Sequence, residues 1–270
     1  MTGTDIRRDS TLSIVGIGYG GDVTARAADL LGRADLVVGH PDFIGQVAHL
    51  LKPDTEATDV VADAEPGQDV FALRARLAAE ALASGRRAVI VTAGDPGLLG
   101  MAGPTLSALR DRAGVQDVEI VPGLSAWQYA SAILGAPFNG GLITFPLCLH
   151  GESDADVARR IRSAADSGLG TCLYMLRHNG EAHPELFPTD EPAVDIALRR
   201  FAMVRNAFLA ARPGDTPAVI VSDLDDERPR RVTTSLLDLN SVWGEVSDTS
   251  VLCIPGERFT ADSGRLWTVT

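Results

Sequence analysis

Three glycine-rich stretches carry residues whose type and spacing suit ligand chemistry. The first is Gly16-Ile17-Gly18-Tyr19-Gly20-Gly21, which follows a short apolar run and precedes an amphipathic segment. Glycine is needed where the backbone takes positive φ or must approach a ligand with no Cβ in the way. Read literally, Gly16-x-Gly18-x-x-Gly21 is a dinucleotide fingerprint, and Asp42 lies about where its acidic partner belongs. Asp42, however, sits in Gly39-His40-Pro41-Asp42-Phe43, beyond a proline. A dinucleotide-dependent oxidoreductase is therefore an alternative, as is a plain strand–helix turn. The second stretch, Thr92 to Met101 (TAGDPGLLGM), is a dense turn after an apolar run. Open α/β sheets place ligands at such strand ends. The third, Val121-Pro122-Gly123-Leu124-Ser125-Ala126, opens a helix whose amide end suits a carboxylate. Two more motifs follow: Thr171-Cys172-Leu173-Tyr174-Met175, and Asp215-Thr216-Pro217-Ala218-Val219-Ile220-Val221 with Arg231-Val232-Thr233-Thr234-Ser235-Leu236 after a turn.

Other chemistry is disfavoured. Cys148, Cys172 and Cys253 are far apart, each in an apolar stretch, and no CxxC pair exists. They read as buried thiols. Lys52 is the only lysine, flanked by Pro53 and Asp54 with no apolar pocket signal, so a Schiff base is not expected. His40, His49, His150, His178 and His183 show no HxxxH or HExxH spacing, and no metal is expected. The 270 residues carry 24 Lys+Arg against 36 Asp+Glu, a formal charge of −12. Such acidity argues against nucleic acid as a partner. No apolar run approaches the roughly eighteen residues of a membrane helix. The start, MTGTDIRRDS, has no apolar core behind its arginines and does not read as a secretory signal. A cytoplasmic protein without membrane partners is expected.

The elements that must position these motifs alternate. Apolar runs predict strands at 11–18, 34–39, 87–94 and 118–123. Helical periodicity covers 22–33, 69–86 and 106–112. This βαβ order predicts a mostly parallel sheet covered by helices. After Pro122 the texture changes. Helices are expected at 125–134, 154–167 and 194–211. Strands are expected at 141–149, 171–176, 216–223 and 230–235, with a last one at 250–255. Residues 177–194 hold three prolines and read as a loop. Short turns between the later strands predict a mixed sheet. The fold class is α/β, with one domain over 1–121 and a second over 122–270.

The order and spacing of the motifs resemble the tetrapyrrole methylase family, whose members use S-adenosylmethionine. VGIGYGG matches the family's opening glycine loop, ADLVVG its second strand, and TAGDPGLLGMAG its Gly-Asp-Pro-Gly loop. VEIVPGLSA, TCLYM, DTPAVIV and VTTSL match in turn, from about Ser13 to Ile254. GDPGLLGMAG is similar to precorrin-3B C17-methyltransferases. GLSAWQYASAILGAPF is similar to precorrin-6Y C5,15-methyltransferases, and TCLYM to uroporphyrinogen-III methyltransferases. Tyr19 stands where the family loop has proline, and 177–194 has no counterpart in the family pattern.

The resemblance implies two α/β domains with a cofactor cleft between them. It implies S-adenosylmethionine bound by Gly18, Tyr19, Gly94, Asp95, Leu98, Ser125, Ala126, Tyr174, Met175, Ala218 and Thr233. Tyr19, Arg177 and His178 are the implied substrate contacts. Asp95, His150 and Tyr174 are the candidate catalytic groups if a proton must leave. The implied activity is C-methylation of a precorrin-type tetrapyrrole in cobalamin biosynthesis, by a homodimer. A family member acting on a different small molecule, or a binding module without turnover, is the alternative within the resemblance.

Overall fold

A computed structural model describes residues 12–60, 62, 68–110 and 118–269. The chain divides into two compact units, Met1–Ser125 and Ala126–Thr270.

The first unit is built on five strands: β1 (Leu12–Gly16), β2 (Leu36–Gly39), β3 (Glu56–Asp59), β4 (Ala88–Thr92) and β5 (Val118–Val121). Their order is β3-β2-β4-β1-β5, and every pairing is parallel. β1, β2 and β4 are buried along their whole length. LSIVG, LVVG and AVIVT are accordingly near-continuous apolar runs, as strands covered on both faces require. Helices α1 (Ala25–Arg33) and α2 (Pro41–Val47) cover one face. There Ala27, Leu30 and Leu31 meet Val15, Val37, Val89 and Val91. Helices α3 (Val70–Ala83) and α4 (Ala102–Leu109) cover the other, with Leu73, Ala78 and Leu109 against Leu12, Ile14 and Ile90. Thr24 caps α1 through the Ala27 amide, and Asp69 caps α3 through the Phe71 and Ala72 amides.

The second unit runs α5 (Ala126–Leu134), β6 (Leu142–Pro146), α6 (Asp154–Asp166), β7 (Gly170–Tyr174) and α7 (Ala193–Ala211). It continues with β8 (Pro217–Ser222), β9 (Arg230–Ser235), β10 (Val251–Ile254), β11 (Phe259–Asp262) and β12 (Arg265–Thr268). The sheet order is β6-β7-β10-β8-β9. β6 and β7 are parallel and the other pairs antiparallel. Val157 and Ile161 of α6, with Phe201, Val204 and Phe208 of α7, pack on Leu173, Ile220 and Leu252. Full burial of each such side chain contributes about 1.5–3 kcal/mol.

Three features differ from the sequence reading. Residues 41–59 hold α2 and β3. Pro41 opens α2 and the His40 ring caps it, a combination that reads as a turn, while β3 is a polar edge strand. The expected last strand is not the last, because the β11–β12 hairpin follows it. Helix α4 starts at Ala102 and the described residues end it at Leu109. Thr11, Asp111 and Arg112, included in the expected elements, lie outside the described residues.

Candidate functional site

β1 and β4 are neighbours, yet their connections leave in opposite directions. From β1 the chain passes through α1 on one face to β2. From β4 it passes through α4 on the other face to β5. A crevice opens at the carboxyl ends of two such strands, where open α/β sheets bind ligands. Here backbone ties the two strand ends together. The Ile17 amide donates to the Thr92 carbonyl at 3.0 Å, and the Gly94 amide to the Gly18 carbonyl at 3.2 Å. A Cβ on Gly16 would lie 2.3 Å from the Gly94 oxygen and 2.6 Å from the Gly123 nitrogen. Gly94 itself has φ +61°, and a Cβ there would meet the Tyr19 ring at 3.5 Å and the Ser125 Cα at 3.6 Å. The ends of β1, β4 and β5 thus close on one another because Gly16 and Gly123 carry no side chain, while Gly94 supplies the left-handed turn.

The β4–α4 loop is wound tightly. The Asp95 carboxylate accepts from the Gly97 amide at 2.8 Å, and the Asp95 carbonyl from the Leu98 amide at 3.2 Å. A Cβ on Gly100 would fall 2.7 Å from the Asp95 oxygen. Leu99 takes φ +58°, a left-handed conformation costly for a branched side chain, and is 45% exposed. The structure thus brings Gly18, Tyr19, Gly94, Asp95, Leu98 and Ser125 to one end of the first sheet.

In the second unit, Tyr174 and Met175 end β7. The Tyr174 hydroxyl accepts from the Trp127 amide, in the first turn of α5, at 2.7 Å. Met175 has φ +49°, and its carbonyl accepts from the Cys148 amide at 3.0 Å. His150 is exposed, with its ring edge-on to His178 at 5.8 Å and to Phe187 at 5.7 Å. His178 is buried, and its Nδ1 accepts from the Gly180 amide at 3.0 Å. Burial, then the nearby His150 and the Arg200 cation, hold its pKa below the usual histidine value. Arg177 donates twice to the Val246 carbonyl at 3.1 Å and to Glu181 at 2.9 Å, and stacks 4.4 Å from the Trp243 ring centroid. Of the three implied substrate contacts, Arg177 and His178 have internal partners, and Tyr19 lies in the first unit. Ala218 is buried in the core among the α6 and α7 contacts, whereas Thr233 is exposed on β9 and accepts from Arg231.

Several positioning groups were missed from sequence. Gly16 and Gly123 were read only as parts of motifs. Arg200 is a charge on the apolar face of α7, between Ala197 and Val204, and that misfit was the available signal. It donates to Asp154, to the Leu147 carbonyl at 3.2 Å and to the Glu152 carbonyl, stapling the loop that presents His150. Burial pushes the Asp154 carboxyl up, but its bonds to Arg200 and Arg199 prevail and hold it below the usual carboxylate value. Among the described residues, no group of three His, Cys, Asp or Glu could hold a metal ion. None of the described helices is long and apolar enough to cross a membrane.

The strand order argues against the dinucleotide reading. In that fold β2 lies beside β1, so its terminal acid reaches the ribose held by the first glycine loop. Here β4 intervenes, placing β2 about 10 Å from β1. Asp42 is not at the end of β2 but in the first turn of α2, exposed. Fold and site define a two-unit α/β protein whose β1 and β4 ends are joined through backbone at the switch point of the first sheet. The chain belongs to the Tetrapyrrole (Corrin/Porphyrin) Methylases, a family of methyltransferases, whose family model matches residues 11–239. It is 28% identical over 251 residues to a probable cobalt-factor III C(17)-methyltransferase of Methanothermobacter thermautotrophicus, covering 92% of this chain and 63% of that protein. It is 31% identical over 221 residues to a diphthine synthase of Pyrobaculum calidifontis, covering 79% and 81%. The crystal structure of the methyltransferase CobJ superposes with a TM-score of 0.76 at 20% identity, covering 96% of this chain and 99% of that one.

Proposed function

We propose that this chain is an S-adenosylmethionine-dependent methyltransferase that methylates a carbon of a precorrin-type tetrapyrrole in cobalamin biosynthesis. The observation that carries this is the side-chain-free junction of Gly16, Gly94 and Gly123 at the switch point of the first sheet, in a member of this family. The cobalt-factor III relative supports the substrate class. The cytoplasm, expected from composition, and a homodimer, implied by the resemblance, belong to the same reading.

The junction fits a ligand held by backbone, because a Cβ on Gly16 or Gly123 would strike the Gly94 carbonyl oxygen and push the loops after β1, β4 and β5 apart. When bound, S-adenosylmethionine supplies an electrophilic methyl on a sulfonium. In the first unit Gly18, Tyr19, Gly94, Asp95, Leu98 and Ser125 would hold it. Ala126, Tyr174, Met175, Ala218 and Thr233 are assigned to the same task by resemblance. A ring carbon of a pyrrole-derived macrocycle is already enamine-like. The protein's work is then to hold, orient and keep out water, and such positioning contributes on the order of several kcal/mol. Of the candidate proton acceptors, Asp95 commits one carboxylate oxygen to Gly97, and the Tyr174 oxygen takes the Trp127 amide. The His150 ring is exposed and is carried as the third candidate. Tyr19 is carried as a substrate contact. Arg177 and His178 are read instead as shaping the 177–191 segment, since His178 accepts from Gly180, and Arg177 joins Glu181 to the Val246 carbonyl.

The test is turnover. Purified protein is mixed with methyl-labelled S-adenosylmethionine and cobalt-factor III or precorrin-3B. Gain of one labelled methyl on the tetrapyrrole supports the proposal; no transfer to either, with S-adenosylhomocysteine still bound, rejects the substrate. A second reading, a substrate outside the corrin series, is favoured by the 31% identity to a diphthine synthase. It predicts transfer to a protein or other acceptor under the same conditions.

A further inference from the structure

Arg74 is a charged side chain that the site described above does not use. It lies in the second turn of α3 and is 8% exposed. Its Nη1 donates to the Met101 Sδ at 3.2 Å, a weak acceptor. Its guanidinium carbon stands 5.7 Å from the Phe71 ring centroid. Its Nε is buried with no hydrogen-bond partner among the described residues. Asp59, at the end of β3, is the acid whose field steadies the charge. An arginine kept in such surroundings is costly. A Met or Leu of similar volume would fill the slot without the desolvation penalty. Stability alone therefore does not account for it.

Met101 is what Arg74 grips, and Met101 closes the β4–α4 loop. That loop contains the strained Leu99 and is held at two ends. At one, Gly94 bridges to Gly18. At the other, Met101 is 2% exposed in the core, and the following amide, Ala102, donates to the Pro96 carbonyl at 3.0 Å. A left-handed Leu persists only where its surroundings over-determine it. We propose that Arg74 is a positioning residue that fixes the Met101 end of the 94–101 loop, so that affinity for the cofactor depends on it. The second half of this rests on the proposed function; the hold on the loop does not.

Two variants test it, Arg74→Met and Arg74→Lys. In the ligand-free protein, amide hydrogen exchange at Leu98 and Ala102 is expected to quicken by about tenfold or more in Arg74→Met, with the rest of β1–β5 unchanged. Its melting temperature is expected to hold or rise. S-adenosylhomocysteine is expected to bind about tenfold more weakly, with Arg74→Lys in between. Unchanged exchange at Leu98 and Ala102 overturns the proposal. Uniformly faster exchange across the first unit with a lowered melting temperature also overturns it, since that is a purely structural role. A wild-type protein that fails to bind S-adenosylhomocysteine counts against the proposed function, while exchange still decides whether Arg74 holds the loop.

Discussion

A Cβ on Gly123 would lie 2.2 Å from the Gly94 carbonyl oxygen, a contact that no real side chain makes. The two residues belong to loops after different strands, β4 and β5, and β1 lies between them in the sheet. Gly123→Ala must therefore push a loop off the crevice floor. It is expected to destabilise the protein by about 1–3 kcal/mol, by urea unfolding, and to abolish S-adenosylhomocysteine binding. Gly45→Ala is the control. It meets nothing within 4 Å and lies in α2, so stability is expected to hold or rise by about 0.5–1 kcal/mol with affinity retained.

His178 gives the protein a pH-dependent stability term. Its folded pKa lies below the usual value of 6.5, because burial disfavours the charged ring and Nδ1 must stay an acceptor. Between its folded pKa and 6.5 the unfolded chain takes up a proton that the folded one refuses. The stability it contributes is thus full above 6.5 and is lost as pH falls toward the folded pKa. His178→Asn keeps an acceptor for Gly180 without titrating. Its urea midpoint is expected to fall less than wild type on going from neutral to mildly acidic pH; equal slopes would refute the assignment.

Arg177 separates packing from substrate binding. Loss of its bonds to Val246 and Glu181 and of its stack on Trp243 in Arg177→Ala is expected to cost about 1–3 kcal/mol of stability. Arg177→Lys recovers only part, since the fork and the stacking plane are lost. A substrate carboxylate contact would instead raise KM and leave the unfolding midpoint alone.

Tyr174→Phe asks whether the phenol moves a proton. Its oxygen accepts from the Trp127 amide, so the variant is expected to lose about 1 kcal/mol of stability and to keep turnover within about tenfold. A general base would cost about 100-fold or more in kcat.

The three thiols are expected to stay silent to alkylation in the folded protein. Burial pushes Cys148 up to about 12, and Cys172 and Cys253 face each other across β7 and β10 with sulfurs 3.9 Å apart. Burial also pushes the Cys172 thiol up. Labelling by iodoacetamide at mildly alkaline pH should appear only with denaturant; rapid labelling of the native chain would contradict the burial.

Much of this was legible in the residues, for definite physical reasons. β1, β2 and β4 announce themselves because strands buried on both faces must be apolar throughout. The glycine loops stand out because glycine takes Gly94's φ without strain and no side chain tolerates the approach of Gly123. β3 was not visible, since EATD at a sheet edge carries no buried stripe. Nor was the meeting of Gly16, Gly94 and Gly123, which follows from β1 lying between β4 and β5, and no local pattern encodes strand order. Arg177 reads from sequence as a substrate contact because its acceptor, Val246, lies 69 positions away.

The central claim is that the backbone crevice of the first unit takes S-adenosylmethionine rather than a dinucleotide. Isothermal calorimetry of the purified protein with S-adenosylhomocysteine, against NAD as the control, tests it directly. The account predicts micromolar binding of S-adenosylhomocysteine, lost in Gly123→Ala, and no heat with NAD. Binding of NAD without S-adenosylhomocysteine would contradict it and return the Gly16–Gly21 loop to the dinucleotide reading.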